Sequence, residues 1–99
     1  MVKFELLASF TDQPERPQVR VSGRDAWALQ ELVSAAQRGC TPIDNPAPRW
    51  SAYIFNLRRM GFNIETLHEP HQGLFAGTHG RYLLHSKVLL TPVEQEEAA

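Results

Sequence analysis

Apolar and polar residues alternate from Val2 to Phe10 (VKFELLASF), which places Phe4, Leu6, Ala8 and Phe10 on one side of an extended chain, the pattern of a half-buried strand. Asp12–Pro17 holds two prolines and several charges and reads as a loop. Gln18–Val21 reads as a short second strand with Val19 and Val21 on one side. The period then changes. Within Arg24–Arg38, a stretch without proline, Ala26, Leu29, Leu32, Val33 and Ala36 form one stripe at helical spacing. Ser22 followed three residues later by Asp25 is a capping-box-like start, and Gly39 is the expected stop. Trp27 falls off the stripe and is expected under the N-terminal strand or, as the alternative, in a dimer contact. Cys40–Pro48 (CTPIDNPAP) interrupts any continuous helix, yet Asp44 or Asn45 can cap a new one whose first turn tolerates Pro46 and Pro48. The pattern predicts that helix over 46–60, ending at Gly61. Phe62–His68 alternates again, and Arg81–Ser86 forms a second strand with Val88–Leu90 as a candidate extension. Glu69–Gly80 between them reads as the loop of a long-tipped hairpin. Thr91–Ala99 is acidic, lacks an apolar face and reads as a mobile tail.

The helix over 46–60 has two distinct faces. At 100° per residue, Trp50, Ile54, Leu57 and Gly61 share a narrow arc, the predicted core face. The opposite arc holds Arg49, Ala52, Phe55, Asn56 and Arg59. Arginine can chelate guanine, asparagine can chelate adenine, and a small alanine permits close approach, so these residue types suit base edges in a major groove. The same face also fits a plain solvated surface, with Phe55 as its unusual member. Arg58, beside the core arc, is expected to brace the hairpin.

Composition limits the remaining classes. The chain has 99 residues, 42% hydrophobic and 21% charged, which suits one soluble globular domain. No apolar run approaches the roughly 18 residues of a membrane-spanning helix. With one cysteine, Cys40, no disulfide can close within the chain, and a reducing, cytoplasmic location is expected; no signal peptide is read at the start. The net charge of −1 argues against a polyanion partner, but it is unevenly spread. Glu5, Asp12 and Glu15 outweigh Lys3 near the start, and Glu94, Glu96 and Glu97 collect at the end. Residues 16–92 carry nine Arg and Lys against five Asp and Glu, an excess compatible with DNA.

The order helix, proline-rich turn, helix, hairpin resembles a winged helix-turn-helix domain. Ile54-Phe55-Asn56-Leu57-Arg58-Arg59-Met60-Gly61-Phe62-Asn63-Ile64 resembles the I-x-x-L-R-x-x-G-x-x-I junction between recognition helix and wing in small bacterial and phage winged-helix proteins. Gly80-Arg81-Tyr82-Leu83-Leu84 resembles their returning wing strand. The resemblance covers about residues 22–86. It implies an α+β fold with a winged-helix domain over 22–90, two main helices and a C-terminal hairpin wing; the strands over 1–21 are an N-terminal β extension packed on the domain that the resemblance does not explain, and 91–99 is the tail. Where that family has a second helix, Cys40–Asn45 leaves room for about one turn.

The function implied is double-stranded DNA binding, as a regulator of transcription that acts as a homodimer. Helix 46–60 would enter the major groove, with Arg49, Asn56 and Arg59 on bases or phosphates and Ala52 at the closest approach. His79, Arg81 and Lys87 would contact the backbone from the wing. The alternative is a protein-interaction module that docks through Phe55 or through Leu74 and Phe75 at the wing tip, without DNA binding. No enzyme, cofactor or metal site is expected. The four histidines and Cys40 show neither a CxxC nor an HExxH spacing, and Cys40 fits a packing thiol.

Overall fold

The computed structural model describes residues 4–47, 49–71 and 77–93. Leu74 and Phe75, the acidic residues from Glu94 onward and Pro48 lie outside the described residues. Among the described residues, five strands and two α-helices run in the order β1 (Glu5–Phe10), β2 (Val19–Ser22), α1 (Gly23–Ala35), α2 (Trp50–Arg59), β3 (Ile64–His71), β4 (Gly77–Leu84) and β5 (Val88–Pro92). They form two antiparallel sheets. One has three strands in the order β2-β1-β5, and the other is the β3-β4 hairpin.

The alternation read in the N-terminal segment is observed from Leu6 to Phe10; Phe4, placed on the same side by sequence, precedes the strand and is 42% exposed, and Glu5 is buried. Leu6, Ala8 and Phe10 are buried in the common core. β1 pairs with β2 from Glu5 opposite Ser22 to Ala8 opposite Val19. Along its other edge it pairs with β5, from Leu6 opposite Pro92 to Phe10 opposite Val88. Val88–Leu90 therefore does not extend the hairpin. It turns into a separate strand, and Thr91 and Pro92, assigned above to the tail, belong to that strand. The reason is that β1 has a second edge whose amides and carbonyls need partners.

α1 buries Ala26, Ala28, Leu29, Leu32 and Ala35. Its start differs from the expected capping box, since Ser22 makes no side-chain cap bond and the Asp25 carboxylate is engaged by Asn56 of α2. A 3-10 turn over Ala36–Arg38 ends at Gly39, whose φ is +72°. Glycine is required there by space as well as by dihedral angle. A Cβ would sit 2.7 Å from both the Tyr82 carbonyl oxygen and Leu83 Cδ2. This close approach lets Cys40 and Tyr82 exchange two backbone hydrogen bonds of 2.9 and 2.8 Å, which tie the end of the α1 segment to the hairpin.

Between Thr41 and Asn45 the chain makes a single turn. Asp44 N donates to Thr41 Oγ1 at 2.9 Å, and Asn45 N donates to the Thr41 carbonyl at 2.9 Å. α2 begins at Trp50, four residues later than the sequence suggests. The Trp50 indole donates to the Asn45 carbonyl at 2.6 Å, holding the entry segment against the helix. Trp50, Ile54 and Leu57 are buried as expected, and Tyr53 joins them. Trp27 does not lie under the N-terminal strand as supposed. Its ring centroid is 5.4 Å from Trp50 and 6.4 Å from Tyr53, so it forms part of the α1–α2 contact.

The hairpin is longer than its sequence suggests. Pairing runs from Ile64 opposite Leu84 to His71 opposite Gly77, so Glu69–His71 and Gly77–Gly80, read above as loop, are strand. Glycine and proline lower strand propensity, but ladder bonds from the more apolar base of the hairpin carry the pairing outward. Arg58 braces the hairpin, donating from Nε and Nη2 to the Ile64 carbonyl at 3.1 and 2.7 Å and from Nη2 to Thr66 Oγ1 at 2.8 Å.

Candidate nucleic-acid interface

With Trp50, Ile54 and Leu57 turned inward, the opposite side of α2 faces out. Arg49, just before the first turn, and Arg59, in the last, are exposed, and Ala52 and Asn56 between them are half-buried. Phe55 is 59% exposed, and the Arg59 guanidinium carbon lies 5.7 Å from its ring centroid. Neither Arg49 nor Arg59 has an ion-pair partner among the described residues. Among the described residues, therefore, no carboxylate pairs with either guanidinium of this flank, and both arginines are exposed.

The first turn of α1 completes this face. Arg24 Nη1 donates to the Tyr53 hydroxyl at 3.3 Å. Asp25 accepts from Asn56 Nδ2 at 3.2 and 3.3 Å, one distance for each carboxylate oxygen. Arg24, Asp25, Arg49, Ala52, Tyr53 and Asn56 line an open groove of about 450 Å³. A second groove, of about 300 Å³, is lined by Asn56, Arg59 and Met60. Arg24, Asp25 and Tyr53 are absent from the site residues read from the sequence, where Asp25 figures only in the helix start. Nothing in the periodicity of α1 relates its first turn to α2; only the packing of one helix on the other does.

The wing residues are placed differently from expectation. Arg81 donates from Nε and Nη2 to the two oxygens of Glu69, each at 2.8 Å, and from Nη1 to the Arg38 carbonyl at 2.7 Å. Asp44 lies 3.8 Å from the same guanidinium. His79 Nε2 is 3.0 Å from Glu69 Oε1. The Arg81 hydrogen bonds hold the Glu69 carboxyl below its ordinary pKa, with His79 adding to the effect, and Glu69 in turn raises that of Arg81. Arg81 and His79 are therefore engaged within the protein instead of extended toward a ligand. The cross-strand register explains it, because Glu69 stands directly opposite His79 and two residues along the ladder from Arg81. Lys87 is exposed, but it lies in the β4–β5 connection, at the opposite end of β4 from the wing tip. His85 Nε2 is 2.7 Å from Glu65 Oε1. Among the described residues no group of three or more His, Cys, Asp or Glu side chains converges as a metal site would require.

An α+β arrangement of helix, turn, outward-facing helix and β-hairpin, tied together by the Cys40–Tyr82 bridge, defines the winged-helix class. The chain belongs to the winged helix domain family, whose model matches residues 18–94. This fold is in general a DNA-binding helix-turn-helix module without enzymatic activity. No curated protein and no solved structure matches the chain. Among the described residues no helix is long and apolar enough to cross a membrane.

Proposed function

We propose that the protein binds double-stranded DNA with the outer face of α2 in the major groove, and that it does so as a regulator of transcription. The observation that carries this reading is the pair of exposed arginines, Arg49 and Arg59, at the two ends of one helix face with no carboxylate on either among the described residues. Ala52 lies between them and leaves room for a base edge. Arg24, from α1, adds a third guanidinium at the mouth of the groove and suits a phosphate. With His79 and Arg81 engaged by Glu69, the wing contributes less charge than its sequence promises, and Lys87 lies apart from its tip. A monomer would then neutralise about three phosphates, giving a log–log salt slope near −2.7. A homodimer on two half-sites would roughly double that slope.

The test is binding of a labelled random-sequence duplex at 50 and 200 mM salt. For a monomer the association constant is expected to fall about 40-fold across that range. Arg49→Glu combined with Arg59→Glu should abolish binding at both salts while leaving the thermal transition in place, since both side chains are exposed. Wild-type protein that fails to bind any duplex at 50 mM salt overturns the reading. A second reading, docking of a protein partner through α2, draws on the 59% exposure of Phe55 in the middle of the same face. It predicts the opposite pattern: no duplex binding, and a dimer or partner complex disrupted by Phe55→Asp.

A further inference from the structure

Phe55 is a large apolar side chain on the outer face of α2, and most of it is exposed. Trp50, Tyr53, Ile54 and Leu57 are the buried residues of that helix. At 3.6 residues per turn, Phe55 stands within about 30° of the direction opposite their mean. Ala52, one turn earlier, is small. Arg59, one turn later, lays its guanidinium carbon 5.7 Å from the ring centroid. The guanidinium takes one face of the ring, so the edge and the other face are what a ligand meets. A helix face that enters a groove through Arg49 and Arg59 carries this ring to the base edges with it.

In a paired duplex the faces of the bases are stacked, and only their edges line the major groove. Those edges are carbonyl, ring-nitrogen and amine groups, with the C5-methyl of thymine as the apolar exception. A phenyl ring set against a carbonyl or an amine strips it of water and returns no hydrogen bond, which is unfavourable. Against a methyl group it removes apolar surface from water on both sides. We propose that Phe55 is a specificity-determining residue that reads the C5-methyl of a pyrimidine, so that the bound site carries thymine opposite the ring. Cytosine bears hydrogen at C5 and does not satisfy the ring. A cytosine methylated at C5 presents the same methyl group in the groove and does. The proposal rests on the DNA-binding reading above and gives that reading a base preference.

The experiment is enrichment of randomised duplexes at about 50 mM salt by the wild type and by Phe55→Ala, with the bound pools sequenced. The ring is exposed, so the variant should keep the wild-type thermal transition. The wild type should favour thymine at one position where the variant does not, which identifies the position. The enriched duplex is then titrated with thymine, deoxyuridine, cytosine or 5-methylcytosine placed there. Deoxyuridine lacks only the methyl group and should weaken wild-type binding roughly fourfold, the worth of one buried methyl. With a G·C pair at that position, 5-methylcytosine should bind roughly fourfold more tightly than cytosine. Phe55→Ala should be indifferent to the methyl group in both pairs. Duplex binding with no thymine preference that Phe55→Ala removes, equal binding of thymine and deoxyuridine, or methyl sensitivity that survives in Phe55→Ala would each overturn the proposal while DNA binding stands. Absence of any wild-type duplex binding would overturn both, and a partner complex lost in Phe55→Asp would then assign the ring to a protein.

Discussion

The Cys40 thiol is fully buried, and burial together with the nearby Glu31 carboxylate pushes its pKa up to about 11. Only a thiolate reacts readily. Iodoacetamide at pH 8 should therefore modify the native protein at least about 100-fold more slowly than the denatured chain, as followed by mass spectrometry; equal rates would contradict the burial. The sequence already pointed to a packing thiol, because no partner for nucleophilic or metal chemistry stands at a useful spacing. Glu69 is the contrary case. In sequence it is an acid in a glycine-rich stretch, and its role depends on which residues stand across the ladder. With its pKa depressed in the folded state, the Glu69–Arg81 contact stabilises above the ordinary carboxylate range. That contribution is lost as pH falls through the depressed folded value. Thermal melts should accordingly show Glu69→Gln less stable than wild type at pH 7, with the difference closing as both are taken below pH 4. Asn56 belongs to the same group of residues. Its type suggests a base reader, and only the packing of α1 on α2 brings its side-chain nitrogen within 3.2 Å of Asp25.

At the scale of elements, the two helices and most strand positions follow from periodicity, because burial of one face is a local pattern repeated along the chain. Trp50, Ile54 and Leu57 lie where the helical projection puts them. The ends of the elements depend on contacts that periodicity does not express. Pro46 and Pro48 suggested a helix opening at 46, but the indole of Trp50 holds Asn45 in a turn and the helix begins at Trp50. The hairpin extends past Glu69 because antiparallel pairing is cooperative across strands, and no single-strand pattern expresses that. Gly39 shows an element boundary set by both local and distant terms. Alanine there must adopt a backbone conformation open essentially to glycine alone, at a cost of about 1–3 kcal/mol. Its Cβ would also press on the Tyr82 carbonyl. Gly39→Ala should lower stability by at least about 2 kcal/mol in chemical denaturation; a loss under 0.5 kcal/mol would mean that the Cys40–Tyr82 bridge can shift freely.

The whole molecule depends on contacts far apart in sequence. β1 is the middle strand of its sheet, and its partner β5 comes from the other end of the described chain. Arg16, in the loop after β1, stacks over Phe10 at 3.8 Å and donates to the Gly61 carbonyl at 3.0 Å, fastening that loop to the end of α2. The family match starts at residue 18 and so leaves β1 out. A protein trimmed to 18–94 loses the burial of Leu6 and Phe10, about 3–6 kcal/mol, and exposes a strand edge on both β2 and β5. Against a total stability on the order of 5–15 kcal/mol, that is a large share, and the fragment should melt far below the full chain by circular dichroism. A sharp melt near that of the full chain would mean that the N-terminal strand is dispensable. What the sequence determined alone is the set of faces: which side of each helix and of β1 turns inward, and therefore that Arg49 and Arg59 turn outward. Those follow from short-range periodicity and the hydrophobic effect. Tertiary structure decided which charges meet one another. Asp25 reaches Asn56 and Glu69 reaches Arg81 because helix packing and strand register set distances across the fold, and an electrostatic or hydrogen-bonded contact depends on those distances rather than on spacing along the chain.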